Sequence, residues 1–296
     1  MKAWPRPLRP GDRVQLAAAS SALQPEAQQR LEAGMAVLES WGLRVEPHPE
    51  PLRQWGYLAG QDGQRQGDLR PQSPLVACLR GGWGSARLLE TTASATGAGP
   101  EAPHWLLGFS DVTSLLWARE AAGRPGGIHG PMVTTLAAEP DWSQGRLRDL
   151  LFGAALPPLR GQGWSPGVAE GPLLVGNLTV ATHLLGTPHL PELRGAVLVL
   201  EDVGEAPYRL DRMLTHWRLC GALQQLAGIG FGRFRDCDHP ESGFTVEQVL
   251  RERSADLGIP VLADLPVGHE AGNAALPLGQ RVRLDAGRGS LELLQA

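Results

Sequence analysis

The stretch His104–Glu120, HWLLGFSDVTSLLWARE, decides the fold. Trp105, Leu106, Leu107 and Phe109 form an apolar run of strand length, and from Leu115 onward Leu116, Ala118, Arg119 and Ala121 are helix formers. Between them, Gly108-Phe109-Ser110-Asp111 reads as a sharp strand-to-helix turn with a hydroxyl at its corner. A serine there stands at the carboxyl end of a buried strand, beside the first free N–H groups of a helix. An alcohol so placed can attack a carbonyl while those N–H groups receive the charge that develops on the carbonyl oxygen. The competing reading is that Ser110 or Asp111 caps the helix, since both types accept bonds from orphan N–H groups. The second glycine of a hydrolase elbow is replaced by Val112.

Outward from this stretch, strands alternate with helices. RVQLAAA from Arg13 reads as a first buried strand, and Pro25 to Trp41 as a helix with Leu31, Met35, Val37 and Leu38 on its apolar face, closed by Gly42. Arg44–Pro47 is a short strand, Gln61–Leu69 a polar helix despite its glycines, and Leu75–Leu79 a strand ending in Arg80-Gly81-Gly82-Trp83-Gly84-Ser85. This alternation predicts an α/β fold with a doubly wound parallel sheet, whose ligands lie at the carboxyl ends of the strands. The Arg80–Ser85 and Gly108–Asp111 loops therefore share one edge. Glycines 81, 82 and 84 let backbone approach a ligand, so an amide of this loop can serve as an oxyanion donor. A phosphate cradle is the alternative, but the spacing matches neither the dinucleotide fingerprint nor the P-loop, and no lysine follows.

The pattern changes after Ile128-His129-Gly130-Pro131-Met132. The expected organisation is an amino-terminal domain over 1–138, a Pro-, Gly- and Trp-rich connector over 139–168, and a smaller mixed α/β domain over 169–296. In the last, AVLVL at 196–200 is an apolar strand stopping at Glu201-Asp202, followed by a helix with Tyr208, Leu210, Met213 and Leu214 on its apolar positions. Thr245–Arg253 reads as a helix, Val261–Pro266 as a strand, and the tail alternates like a hairpin over Gln280–Leu284 and Ser290–Leu294.

Composition narrows the function. At 42% hydrophobic and 20% charged residues, 296 residues suit a globular chain of two cores, and no apolar run is long enough to span a bilayer. Met1–Pro7 shows no signal-peptide core, so a cytoplasmic location is expected. A net charge of -4 gives no reason to expect nucleic acid. Cys78, Cys220 and Cys237 have no paired spacing, which fits a reducing compartment, with Cys78 a buried small hydrophobe. No histidine or carboxylate pair shows zinc spacing, so neither a metal nor another cofactor is expected.

An alcohol nucleophile needs a base, and the base needs a group to hold it. Among eight histidines, His48, His104, His189 and His239 read as surface or turn residues. His183 and His216 read as helix packing residues. His129 is a reserve base. His269 is the preferred one, in the loop Gly268-His269-Glu270-Ala271-Gly272-Asn273 after an apolar strand, with a structural histidine the alternative. Glu201, ending an apolar strand where an unpaired charge is costly, is the candidate orienting carboxylate, with Asp202 and Glu205 as neighbours.

Arg80-Gly81-Gly82-Trp83-Gly84, Gly108-Phe109-Ser110-Asp111-Val112-Thr113, Gly176-Asn177-Leu178, Leu200-Glu201-Asp202-Val203-Gly204-Glu205 with Tyr208 and Asp211-Arg212, and Gly268-His269 with Asn273, Leu276-Pro277 and Gly279 together resemble the successive motifs of the LD-carboxypeptidases, the muramoyltetrapeptide carboxypeptidase family. The resemblance runs from about Leu8 to about Leu291. It implies a Ser110–Glu201–His269 triad, an oxyanion hole from the amides of Gly82 and Asp111, an active site between two domains, and a homodimer. The implied substrate is a cytoplasmic murein tetrapeptide that loses its terminal D-alanine during cell-wall recycling. Arg80, Trp83 and Asn177 are candidate substrate contacts, Arg80 as a guanidinium for the substrate carboxylate or as a structural ion pair. Trp83 stands where tyrosine is commoner, and Glu270 where glycine is frequent. The microcin-immunity hydrolases of aminoacyl sulfamoyl adenylates share the triad and are one alternative. A glutaminase-like amidotransferase, which would want cysteine at the elbow, and a two-domain ligand-binding protein without chemistry are others.

Overall fold

Leu75-Val76-Ala77-Cys78 and Trp105-Leu106-Leu107-Gly108 are buried at every position, as strands covered on both faces must be. In the computed structural model, which describes residues 4–92, 103–239, 241 and 243–294, these are inner strands of a six-stranded sheet. The first half contains β1 (Arg13–Ala17), α1 (Gln28–Ser40), β2 (Arg44–Glu46), α2 (Asp62–Leu69), β3 (Leu75–Cys78), α3 (Leu89–Thr92), β4 (Trp105–Gly108), α4 (Thr113–Ala121), β5 (Gly127–His129), α5 (Val133–Leu136) and α6 (Asp141–Phe152). The second contains β6 (Leu159–Arg160), β7 (Gln162–Ser165), β8 (Val168–Asn177), α7 (Leu178–His183), β9 (Val197–Val203), α8 (Pro207–Leu219), β10 (Gly228–Arg235), α9 (Val246–Ser254), β11 (Val261–Ala263), β12 (Leu276–Pro277), β13 (Arg281–Asp285) and β14 (Ser290–Leu293).

The first sheet runs β12-β5-β4-β3-β1-β2, parallel except for β12, which pairs antiparallel with β5 through Leu276 and His129. The second runs β6-β14-β13-β8-β9-β10-β11-β7. Its β8 to β11 are parallel, flanked by antiparallel strands. One apolar cluster joins the halves: Leu116 and Trp117 of α4 lie in it with Leu198, Leu214 and Trp217. The Trp117 indole donates to the carbonyl of Val175 at 2.8 Å. A Cβ on Gly176 would stand 2.6 Å from Thr113 Cγ2, so glycine lets α4 lie directly on β8. The helix that begins at the serine turn is thereby fixed against the strands carrying Glu201.

Several local readings shift. The helix expected from Pro25 begins as a 3-10 turn over Pro25–Ala27, and α1 follows. Gln61 and Gln64 form a capping box that starts α2 in spite of its glycines. On α8, Tyr208 is 60% exposed rather than packed, and Trp217 fills the buried face with Leu210 and Leu214. The segment expected as a connector carries α6, β6 and β7. The strand β12, from the carboxyl-terminal half, completes the first sheet. Among the described residues no helix is long and apolar enough to cross a membrane. Met1, Lys2 and Ala3 of the stretch read for a leader lie outside the described residues.

Candidate active site

Ser110 sits at the end of β4 with φ +59, a left-handed conformation that costs a non-glycine residue about 1–3 kcal/mol. Packing imposes it. The 3-10 turn Ser110–Val112 folds back so that a Cβ on Gly108 would meet the Val112 side chain at 2.7 Å. Val112 is fully buried and takes the place of the second elbow glycine. Asp111 braces the turn: its Oδ2 accepts from the Ser85 amide at 2.8 Å, and its carbonyl accepts from the Ser85 and Ser114 hydroxyls. Ser85 follows the glycine loop, so the two loops predicted to share an edge are bonded together. Gly81 lies against the serine, with its Cβ position 3.3 Å from Ser110 Oγ. At Gly82, φ is +112 and a Cβ would stand 2.4 Å from Ser21 Oγ. The same Ser21 hydroxyl takes the Trp83 amide at 2.9 Å and pins the loop. Among the described residues the amides of Gly82 and Asp111 have no acceptor.

His269 reaches this corner from the loop after β11. Its Nε2 is 3.0 Å from Ser110 Oγ, and its Nδ1 is 2.7 Å from Glu201 Oε2. A short bond from Nδ1–H to the carboxylate leaves Nε2 as the acceptor facing the hydroxyl. Glu201 is wholly buried in β9, which continues past it through Asp202 to Val203. Gly268, at φ +135, makes room for it: a Cβ there would lie 3.1 Å from Glu201 Oε2 and 3.0 Å from the Arg233 carbonyl. Burial pulls the imidazole down, but the hydrogen bond and charge of Glu201, with the charge of Asp202, outweigh it and hold His269 above its ordinary value. The Phe109 ring lies 4.8 Å from the imidazole, centroid to centroid.

The other candidates separate clearly. Asp202 is buried beside Glu201 but bonds Asn177 and Thr179; burial, and then the charge of Glu201, push its carboxyl up. Glu205 pairs with Arg209 at 3.4 Å. Asn177 is buried with both ends of its amide in use, capping α7 at Val180 and donating to Asp202 Oδ1 at 2.9 Å. Trp83 is 43% exposed with its ring edge-on to His183. Arg80 lines the cavity at Ser110 and bonds the carbonyls of Ala22 and Gly81, with no ion pair among the described residues.

Five histidines stand differently from their expected places. His129 is fully buried behind Phe109, its ring 5.7 Å from that of Phe109, and burial drives its pKa down to about 4. It stands behind the site as a neutral ring. His48 is buried against Asp68, since a turn residue can fold inward onto a carboxylate. His104 is buried with its carbonyl and ring both bonded to Arg119. His183 and His216, expected to pack, are exposed and line a groove between α7 and α8. Glu139 was invisible to the sequence reading. It accepts from the amides of Gly272 and Asn273, at 2.7 and 2.9 Å, and so holds the His269 loop. Its signal is purely tertiary, because the partners lie more than a hundred residues away.

A serine on a strained elbow, a histidine on its hydroxyl, a buried carboxylate behind the histidine and two unused amides beside it define a class: α/β proteins with a site fit for acyl transfer. Residues 14–130 match the LD-carboxypeptidase N-terminal domain and residues 170–284 the LD-carboxypeptidase C-terminal domain. The chain belongs to the LD-carboxypeptidase family. A Synechocystis sp. protein provisionally named a carboxypeptidase is 48% identical, over 98% of this chain and 97% of its own. The murein tetrapeptide carboxypeptidase of Pseudomonas aeruginosa is 35% identical, over 93% of this chain and 94% of its own. Among solved structures, the microcin C7 self immunity protein MccF in complex with aspartyl sulfamoyl adenosine superposes with a TM-score of 0.86 at 20% identity, covering 99% of each chain. At that identity the likeness is one of fold.

Proposed function

We propose that this protein is a cytoplasmic serine carboxypeptidase that hydrolyses an L,D amide bond, releasing terminal D-alanine from murein tetrapeptides in peptidoglycan recycling. The observation that carries the reading is the unbroken chain from Ser110 Oγ through the imidazole to Glu201, at 3.0 and 2.7 Å. Nε2 of His269 takes the Ser110 proton as Oγ adds to the carbonyl carbon. The amides of Gly82 and Asp111 donate to the oxyanion, and Glu201 stabilises the imidazolium. Collapse breaks the C–N bond as His269 returns the proton to the departing amine. Water then repeats the sequence on the acyl-serine ester. Arg80 assists in binding the substrate, and the working form is a homodimer.

Murein-type tetrapeptides ending in D-alanine or L-alanine, read by mass, test this: the D-terminated peptide loses its last residue and the L-terminated one does not. Hydrolysis of an aminoacyl sulfamoyl adenylate with neither peptide cleaved would install the microcin-immunity activity instead, since the MccF fold is shared. Binding of the peptide by wild-type protein without release of D-alanine would leave a ligand-binding protein.

A further inference from the structure

The cavity at Ser110 has a volume of about 430 Å³, and its lining includes two arginines, Arg30 and Arg80, besides His269. Among the described residues no carboxylate lines it. Two arginines on the wall of a cavity that no carboxylate lines raise its potential and favour an anion that enters it. Arg80 has spent Nε and Nη1 on the carbonyls of Gly81 and Ala22. Its Nη2 has no partner among the described residues, and it lies 3.5 Å from the position of a Cβ on Gly82. The free donor of Arg80 is therefore beside the oxyanion loop itself.

Arg30 is less constrained. It lies in the first turn of α1, three residues beyond Ala27, so the two share one helix face, and both line the cavity. No hydrogen bond or ion pair holds its guanidinium among the described residues. By contrast Arg53, Arg65 and Arg146 are each consumed by carboxylates or carbonyls of the fold. The lining also includes the apolar side chains of Leu23, Ala27 and Met132, beside Thr134 and Thr135. That combination suits a residue with a short apolar side chain and a free carboxylate.

We propose that Arg30, with Nη2 of Arg80, forms the anion subsite that holds the terminal carboxylate of the leaving residue. The subsite makes the enzyme an exopeptidase: a chain continuing past the scissile bond presents a neutral amide to two cations. The proposal rests on the carboxypeptidase reading and gives it a residue, Arg30, that the family motifs do not contain. A phosphate or sulfamate on the leaving side offers the same anionic chemistry, so the test carries an arm for it.

The test compares a tetrapeptide ending in D-alanine with the same peptide ending in D-alaninamide, in wild type, Arg30→Gln and Arg30→Lys. An equal thermal midpoint certifies folding of the variants. The acid-over-amide ratio in kcat/KM falls roughly 10- to 100-fold in Arg30→Gln, as expected for loss of a hydrogen bond between charged groups. The loss lies in KM, and Arg30→Lys recovers part of it. Calorimetry on Ser110→Ala and on the double variant Ser110→Ala/Arg30→Gln reads binding without turnover. Release of D-alanine with an unchanged ratio in Arg30→Gln overturns the subsite and leaves the carboxypeptidase standing. No release by wild type, with Arg30-dependent preference of Ser110→Ala for the free acid, keeps the subsite and overturns the carboxypeptidase. If Arg30→Gln weakens only an aminoacyl sulfamoyl adenylate and neither peptide, the carboxylate assignment is overturned.

Discussion

At the residue scale, the serine pays for its position with backbone strain, and that strain is separable from its chemistry. Glycine occupies positive φ without penalty, whereas alanine keeps the steric cost and only loses the hydroxyl. Ser110→Gly is therefore expected to be more stable than Ser110→Ala by about 1 kcal/mol, with both inactive. Paired urea melts measure the difference. The base behaves in an equally specific way. His269 accepts a proton from serine only when neutral, so kcat/KM rises with pH through its titration. The Glu201 bond and charge raise that titration above the ordinary 6.5. In Glu201→Gln the negative charge is removed and any remaining bond to Nδ1 is to a neutral amide, so the acid limb moves downward while kcat drops by roughly 100-fold or more. An acid limb that stays in place in Glu201→Gln would show that the carboxylate does not set the imidazole's charge. Ser110 and His269 were legible because a glycine stands close before each, Gly108 and Gly268, where a Cβ would meet Val112 and Glu201 respectively, and Glu201 because its charge follows the apolar run Val197–Leu200 of its strand. Arg30 and Glu139 carry no such punctuation, and their importance comes only from what faces them.

At the element scale, the weight falls on α6. Its segment reads as a connector because it is rich in Pro, Gly, Trp and Arg, and its inward face is partly polar. Ser143 and Arg146 are buried and donate to the carbonyls of Asn273 and Ala275, at 2.9 and 3.0 Å, and Glu139 just before the helix receives the amides of Gly272 and Asn273. A helix with two hydrogen-bonding groups among its five buried residues escapes a periodicity that counts only apolar residues. The parallel strands were legible for the opposite reason: they are buried on both faces and wholly apolar. Strand β12 escaped notice because two residues make no pattern. The consequence is that α6 is a clamp on the loop that carries His269. Glu139→Ala leaves two half-buried amides without an acceptor, which costs about 2–4 kcal/mol. The expected outcome is a lower thermal midpoint together with a fall in kcat, because the imidazole loses its fixed distance from Ser110. A fall in stability with kcat intact would mean that the loop is held elsewhere.

At the scale of the whole molecule, the two halves are less independent than the sequence boundary at 138 implies. The first sheet ends in β12, whose chain has already passed through six of the eight strands of the second sheet, β6 to β11, and returns to it for β13 and β14. The core of the first half also takes Leu147, Leu150 and Leu151 from α6 and Ala275 from the His269 loop. Burying those three leucines is worth about 4–9 kcal/mol. A domain's entire stability is about 5–15 kcal/mol, so the loss is of the same size as the whole. A fragment of residues 1–138 also bares the edge of β5, with Ile128 and His129 no longer covered by Pro277 and Leu276. The fragment is therefore expected to lack fixed tertiary structure, showing weak near-ultraviolet circular dichroism and little amide protection. Extension to residue 156 restores the leucines but not β12, and is expected to recover only part of that protection. The intact chain, tied by β12 and by α4 lying on β8, should unfold in one transition followed alike by fluorescence and far-ultraviolet signals. A fragment 1–138 with native-like protection in β3 and β4 would show instead that the first half folds alone and that its docking to the second half only assembles the site.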